Sequence, residues 1–539
     1  MTWQSSLITR YSLVMPTARP AIPGEAPQTV AAVLEAGVHE HPARPALVGR
    51  HARYSYTELD REAARAAAAL WKLGVRPGDR VAACMGNHPD IVILFLGCMR
   101  IGAIWVGINR PLAPPEKAYM LADAAACLFV GERATCEQVR ARQHEIPSLR
   151  SVLEIDPGND DCEWNRVLRQ SIEAAPHVDI DPFAPAAIAY TSGTTGFPKG
   201  AVHSQHNLLI PGAVAAATGV YPHGQVQGVL LPLTILNLMV LVPLLTFQIR
   251  GTCVCMDRID AVGVAEWVRS EKIGHFAAVP AVYHDLLTHP EVRDEDLATL
   301  VRPEVGGAEC PPAFLRLYRE RFGADVAIGY GMTEAPTAVT RSLGDKPPTP
   351  GLIGRAVPQV EIRILDADGK PVIAGEVGEI CVAPASSGPF SGVYTPMLGY
   401  WGKPEETAKA LRGGILHTGD LGATGEDGNY YIRGRRNELI LRGGANVYPA
   451  EIERVVHRDA RVAACAVLGV PDERLGERVV AAIQLAEGAI VSEDELRQHC
   501  IAELARYKIP ERFYFVESLP RNSMGKIVKH QLRAQLGLG

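Results

Sequence analysis

The sequence has no excess of positive charge: 54 Lys plus Arg stand against 60 Asp plus Glu, a formal net charge of -6 at pH 7. A cationic face for a phosphodiester backbone is therefore not indicated, and nucleic acid is not an expected partner. No CxxC pair occurs among the 11 cysteines, an odd and scattered set. A disulfide framework is disfavoured, and a reduced, cytoplasmic setting fits better than secretion. The first thirty residues lack the charged-then-apolar pattern of a signal peptide. Residues 229–247 form an uncharged stretch near the length of a membrane helix, but Pro232 and Pro243 interrupt it. A strand running into a buried helix accounts for the same apolarity, so no membrane span is expected. Two nucleotide fingerprints are also missing. Phe197 and Pro198 stand between Gly196 and Lys199, and Gly525-Lys526 is followed by Ile527, so neither glycine-lysine region is a Walker A loop. No GxGxxG follows an expected strand.

What is present is the composition of a folded enzyme: 539 residues, 47% hydrophobic and 21% charged. At about 150 residues per domain this predicts two to four domains. Thr57 reads as the N-cap of an Ala-rich helix stopped by Gly74. A strand at 80–85, a helix at 90–100 and a strand at 103–108 follow, and short apolar runs recur at 186–190, 254–256, 273–279 and 326–328. This alternation predicts an α/β fold with doubly wound parallel sheets in a large N-terminal domain. Beyond Gly351, glycine-punctuated strands at 360–365 and 378–382 suggest an antiparallel, β-rich subdomain, a small barrel or a sandwich. After the charged stretch 433–438 the pattern reads helix, strand, strand, helix, strand, helix, a small α+β domain. The expected divisions are an N-terminal domain at 1–434, a joint at 435–439 and a mobile C-terminal domain at 440–539.

The sharpest local feature follows the apolar run at 186–189: Tyr190-Thr191-Ser192-Gly193-Thr194-Thr195-Gly196-Phe197-Pro198-Lys199-Gly200. Glycines let backbone N–H groups converge on an anion, hydroxyls add donors, and a lysine gives phosphate a point charge. A plain Gly-Thr hairpin turn carrying an incidental lysine is the alternative. The chain has 11 lysines against 43 arginines, so a lysine at this place stands out.

Four further stretches follow in order: Gly329-Tyr330-Gly331-Met332-Thr333-Glu334, then Thr418-Gly419-Asp420, then Gly434-Arg435 with Gly443-Gly444-Ala445-Asn446-Val447-Tyr448-Pro449, and finally Pro520-Arg521-Asn522-Ser523-Met524-Gly525-Lys526. With the Thr-Gly loop they make the chain resemble the adenylate-forming superfamily, which includes acyl-CoA synthetases, adenylation domains of peptide synthetases and beetle luciferases. The resemblance spans residues 190–526. It implies ATP, Mg²⁺ and coenzyme A as cofactor and co-substrates. Thr191, Ser192, Gly193, Thr194, Thr195, Gly196 and Lys199 would cradle phosphates. Tyr330 would stack on adenine beside Gly331, with Gly306, Gly307 and Ala308 as a wall between nucleotide and acid. Thr333 would offer a hydroxyl to the α-phosphate and Glu334 would hold Mg²⁺, since a hard cation on a triphosphate takes one or two protein carboxylates. Asp420 and Arg435 would bind the ribose. Lys526 would bridge carboxylate and α-phosphate, and Gly443 and Gly444 would line a path for the pantetheine thiol.

Two departures from the family pattern bear on function. The hinge position, commonly Asp or Lys, is Asn437, whose amide can still make hinge hydrogen bonds. Where many relatives carry Pro-x-Phe-His, this chain has Pro232-Leu233-Thr234-Ile235, and amino-acid-activating relatives place an aspartate where Ile235 stands. No carboxylate is then available for an α-ammonium, so amino-acid substrates are disfavoured. Ile235, Leu236, Met239 and Met332 would give an apolar pocket, although Met and Leu at helical spacing also serve as core. The reading is an ATP-dependent carboxylic acid–CoA ligase: a hydrophobic small-molecule acid becomes acyl-AMP with release of pyrophosphate, then a CoA thioester. The alternative is an adenylating enzyme that loads a separate acyl carrier protein. Homodimerisation is left open by the sequence.

Overall fold

The computed structural model describes all residues except 1–10, 12, 17, 160, 172–174, 192–197, 302–303, 306–311, 343, 345–347, 350, 443–444, 473–474, 523–524 and 539. Side chains at 312, 313, 437, 445, 446 and 476 are also outside the description. The chain forms two compact units, one of Met1–Ile362 with Val382–His417 and one of Arg363–Cys381 with Thr418–Gly539. By contacts, then, 363–381 and 418–434 group with the C-terminal residues.

The first unit holds two α/β sheets. One has seven strands in the order 399–400, 199–204, 185–191, 104–107, 80–84, 128–131, 151–154. Its members from 185–191 onward are parallel, while 199–204 and 399–400 form an antiparallel edge. The second contains a parallel run in the order 327–332, 304–305, 275–278, 226–229, 252–255, 45–48, with antiparallel strands at either end. Parallel strands covered on both faces read as apolar runs, and for that reason the expected strands at 80–85, 103–108, 186–190 and 254–256 match Arg80–Cys84, Ile104–Gly107, Pro185–Thr191 and Thr252–Cys255.

The helix Tyr56–Lys72 begins one residue before the expected cap. Ser55 is the N-cap: its hydroxyl accepts from the Glu58 N–H, and the Glu58 carboxylate accepts from the Ser55 N–H, a reciprocal box that Thr57 cannot complete. The 229–247 stretch is strand Val226–Val229 followed by helical turns over 236–248, with Pro243 inside a π-helical segment, Val240–Leu244. No helix among the described residues is long and apolar enough to cross a membrane.

Strands Val360–Leu365, Gly378–Pro384, Leu416–Thr424 and Tyr430–Arg435, the first three of which cross a limit between the units, lie side by side in that order. After a short hairpin, Ile440–Arg442 with Ala445–Val447, the C-terminal part runs helix, strand, strand, helix, strand, helix as expected, over Pro449–Val456, Val462–Asp472, Gly476–Leu485, Glu493–Glu503, Arg512–Phe515 and Lys529–Gln535. Its core includes Ile452, Val467, Val479, Ile483 and Leu496.

Candidate active site

In open α/β sheets, ligands bind beyond the carboxyl ends of parallel strands. Two of the expected site stretches emerge there from one sheet of the first unit: 230–236 after Val226–Val229, and the Thr333-Glu334 turn after Ala327–Met332. That turn is the two-residue link of a hairpin in which Met332 pairs with Ala335. Gly331 is required within it. A Cβ there would lie 2.7 Å from the Thr337 carbonyl oxygen, too close for any side chain.

The other sheet supplies the groups that hold the turn. Buried His203 donates from Nε2 to the Thr333 carbonyl at 2.8 Å, and its Nδ1 accepts from Asn207 Nδ2 at 3.3 Å. Burial depresses the imidazole to about 4, partly offset by the bond to Thr333, so it is neutral near pH 7. Tyr400 donates its hydroxyl to Glu334 Oε1 at 2.7 Å. Glu334 is 9% exposed, and its second oxygen makes no hydrogen bond among the described residues. One oxygen braced and the other open fits the expected single-carboxylate grip on a hard cation.

Lys199 opens the strand Lys199–Ser204, directly opposite Thr191, at the mouth of the Thr-Gly loop. The hairpin alternative and the phosphate reading thus share one backbone. Lys199 Nζ donates to Glu406 Oε2 at 2.9 Å and lies 4.8 Å from the centre of the Tyr400 ring. Ser192, Gly193, Thr194, Thr195, Gly196, Gly306, Gly307, Ala308, Gly443, Gly444 and the Asn437 side chain lie outside the described residues.

Of the expected pocket residues, Leu236 and Met239 are buried in the hydrophobic core, whereas Ile235 and Met332 keep partial exposure. The amide of polar Asn237 donates to the Met332 carbonyl at 3.2 Å, and its buried Oδ1 has no hydrogen-bond partner among the described residues. Thr234, in the 232–235 stretch, donates to Asn109 Oδ1 at 2.5 Å.

In the second unit, Asp420 and Arg435 are cross-strand partners, with Arg435 Nε 3.2 Å from Asp420 Oδ1. The Asp420 N–H donates to the Thr418 hydroxyl, and buried Glu379 accepts from the Gly419 N–H and from Arg436. Lys526 follows Gly525, whose positive φ of 76° turns the chain tightly. Its side chain keeps exposed surface, yet desolvation lowers its pKa; the nearby Arg435 guanidinium pushes the same way and Asp420 opposes. The expected ribose pair and the expected catalytic lysine therefore share one electrostatic neighbourhood. The expected joint contains the short 3-10 turn Arg436–Glu438, and Glu438 is anchored by Lys529 at 2.7 Å.

His203, Asn237, Tyr400 and Glu406 escaped the sequence reading. Glu406 lies 207 residues from Lys199, and no local spacing connects them.

A family model for AMP-binding enzymes matches residues 34–401, and one for the AMP-binding enzyme C-terminal domain matches residues 451–526. The chain belongs to the AMP-binding enzyme family. Feruloyl-CoA synthase of Amycolatopsis sp is 34% identical to it, covering 93% of this chain and 99% of that relative. Long-chain-fatty-acid–CoA ligase FadD13 of Mycobacterium tuberculosis is 33% identical, covering 90% and 93%. Among solved structures, ATP-bound MatB from Rhodopseudomonas palustris superposes with a TM-score of 0.84 at 29% identity, covering 94% of this chain and 98% of that one. The two sequence relatives are named as a CoA synthase and a CoA ligase, and this AMP-binding enzyme is an acid–thiol ligase of the AMP-forming acyl-CoA synthetase class.

Proposed function

We propose that the enzyme activates a hydrophobic carboxylic acid with ATP, releases pyrophosphate, and passes the acyl group from acyl-AMP to the CoA thiol. The observation that carries this reading is the braced Thr333-Glu334 turn at the carboxyl edge of the parallel sheet, with part-exposed Met332 next to it in sequence and tied through its carbonyl to Asn237, two residues after part-exposed Ile235. Glu334 would hold Mg²⁺, which supplies positive charge to the triphosphate when bound.

Lys199 and the Thr191–Gly196 loop bind phosphates, and the Thr333 hydroxyl faces the α-phosphate. Tyr330 and Gly331 bind adenine, Gly306, Gly307 and Ala308 separate it from the acid, and Asp420 with Arg435 holds the ribose. Lys526 stabilises the charge that builds as the substrate carboxylate oxygen bonds to the α-phosphorus and the bond to pyrophosphate breaks. The thiol sulfur then attacks the acyl carbon and AMP departs, with Gly443 and Gly444 along the thiol's path. Asn437, in the joint 435–439 between domains 1–434 and 440–539, serves as the hinge that lets Lys526 act in the first step and withdraw in the second.

The proposed setting is cytoplasmic, and a homodimer is the proposed assembly. The test is pyrophosphate release across straight-chain, alicyclic, aryl and steroidal acids with CoA present. A product mass equal to acid plus CoA minus water is expected. Acyl-AMP that persists in the presence of CoA would point instead to a separate acyl carrier protein as acceptor.

A further inference from the structure

The nucleotide lysine is already engaged. Lys199 and Ala201 lie on the same face of their strand, and Tyr400 pairs with Ala201 on the neighbouring strand, so the Tyr400 ring is the diagonal cross-strand neighbour of the ammonium. Glu406, in the first turn of the helix Pro404–Ala410, closes the other side at 2.9 Å. Only 15% of the Lys199 side chain and 31% of the Glu406 side chain are exposed, so water screens the pair less than it would a surface contact. The ammonium accordingly holds the Glu406 carboxyl below its usual range. Tyr400 meanwhile spends its hydroxyl on Glu334. One aromatic residue thus carries the lysine on its face and the carboxylate at its tip.

We propose that Glu406 is a counter-ion latch on Lys199, holding the ammonium against Tyr400 when no nucleotide is bound and giving it up to the triphosphate, so that it sets ATP affinity by competition. The latch rests on the reading of Lys199 as a phosphate ligand. An anion reaching Lys199 must displace or share this carboxylate and also meets its like charge, and both effects oppose binding. Glu406 is a positioning residue, acting through Lys199.

The test is calorimetric binding of α,β-methylene-ATP, which cannot be cleaved at the adenylating bond, to the full-length protein in EDTA. Glu406→Gln, isosteric and uncharged, is expected to tighten binding by about threefold to tenfold, the size of a part-screened ion pair. Glu406→Asp, which keeps the charge on a shorter arm, is expected to fall between Gln and wild type, and it serves as the second variant should Gln disturb folding. In a Lys199→Met background the Glu406→Gln effect is expected to vanish. Unchanged or weaker binding in Glu406→Gln, with Lys199→Met alone still weakening it, overturns the latch while leaving the lysine's role intact. Tightening that persists without Lys199 also overturns it, because general repulsion then suffices. Binding indifferent to Lys199→Met removes the underlying reading and the latch with it.

Discussion

Acidification should unfasten this enzyme through its buried histidines. His203 and His275 are depressed by burial to about 4, from 6.5 in an unfolded chain; at His275 Glu304 partly offsets this and Arg341 adds to it. Both are buried, and His203 faces the Asn207 amide at Nδ1, where a protonated ring would present a second N–H to a donor. The sign follows from proton counting. Between about pH 6.5 and 4 the unfolded chain binds protons that the folded one refuses, so stability is full above 6.5 and drains as pH falls towards 4. At pH 5 each such histidine removes about 2 kcal/mol, a large fraction of a domain's ~5–15 kcal/mol.

His203→Gln keeps an amide donor for the Thr333 carbonyl and abolishes the titration. Its stability relative to wild type should therefore improve by about 2 kcal/mol on going from pH 7 to pH 5. The assay is guanidinium unfolding of the pair at both pH values, compared as a difference because a two-unit chain need not unfold in one step. Parallel pH dependence in the two proteins would refute the claim that His203 is held neutral by burial.

Lys526→Ala should slow acid-dependent pyrophosphate release by about a hundredfold to a thousandfold while sparing thioester formation from supplied acyl-AMP, and equal loss of both contradicts the division of labour. Because the Lys526 pKa is lowered, the alkaline limb of pyrophosphate release should fall below pH 10.5 and move upward in Lys526→Arg; an unmoved limb assigns it to another group. Gly331→Ala drives a methyl to 2.7 Å from the Thr337 carbonyl oxygen and should cost ~1–3 kcal/mol, read as a lowered melting temperature with impaired adenylation. A melting curve identical to wild type would show that the turn yields there without strain.

The primary structure by itself determined the α/β class, most strands of the parallel sheets and the order of elements after Pro449, because fully buried strands and amphipathic helices write their periods into short windows. It also placed the Thr-Gly loop at a strand end and the Thr333-Glu334 turn after another, since turns and phosphate loops depend on local glycines and hydroxyls. The N-cap of the first long helix shifted from Thr57 to Ser55 because a capping box depends on which hydroxyl reaches the third N–H, a matter of local geometry. Only the tertiary structure decided that Leu236 is core, that Asn237 reaches Met332, and that Glu379 braces the turn before Asp420. The same holds for His203 and Tyr400 gripping Thr333 and Glu334, and for Glu406 capturing Lys199. Each of these is a contact between residues distant along the chain, set by which sheet edges fold together, and no sequence window contains both partners.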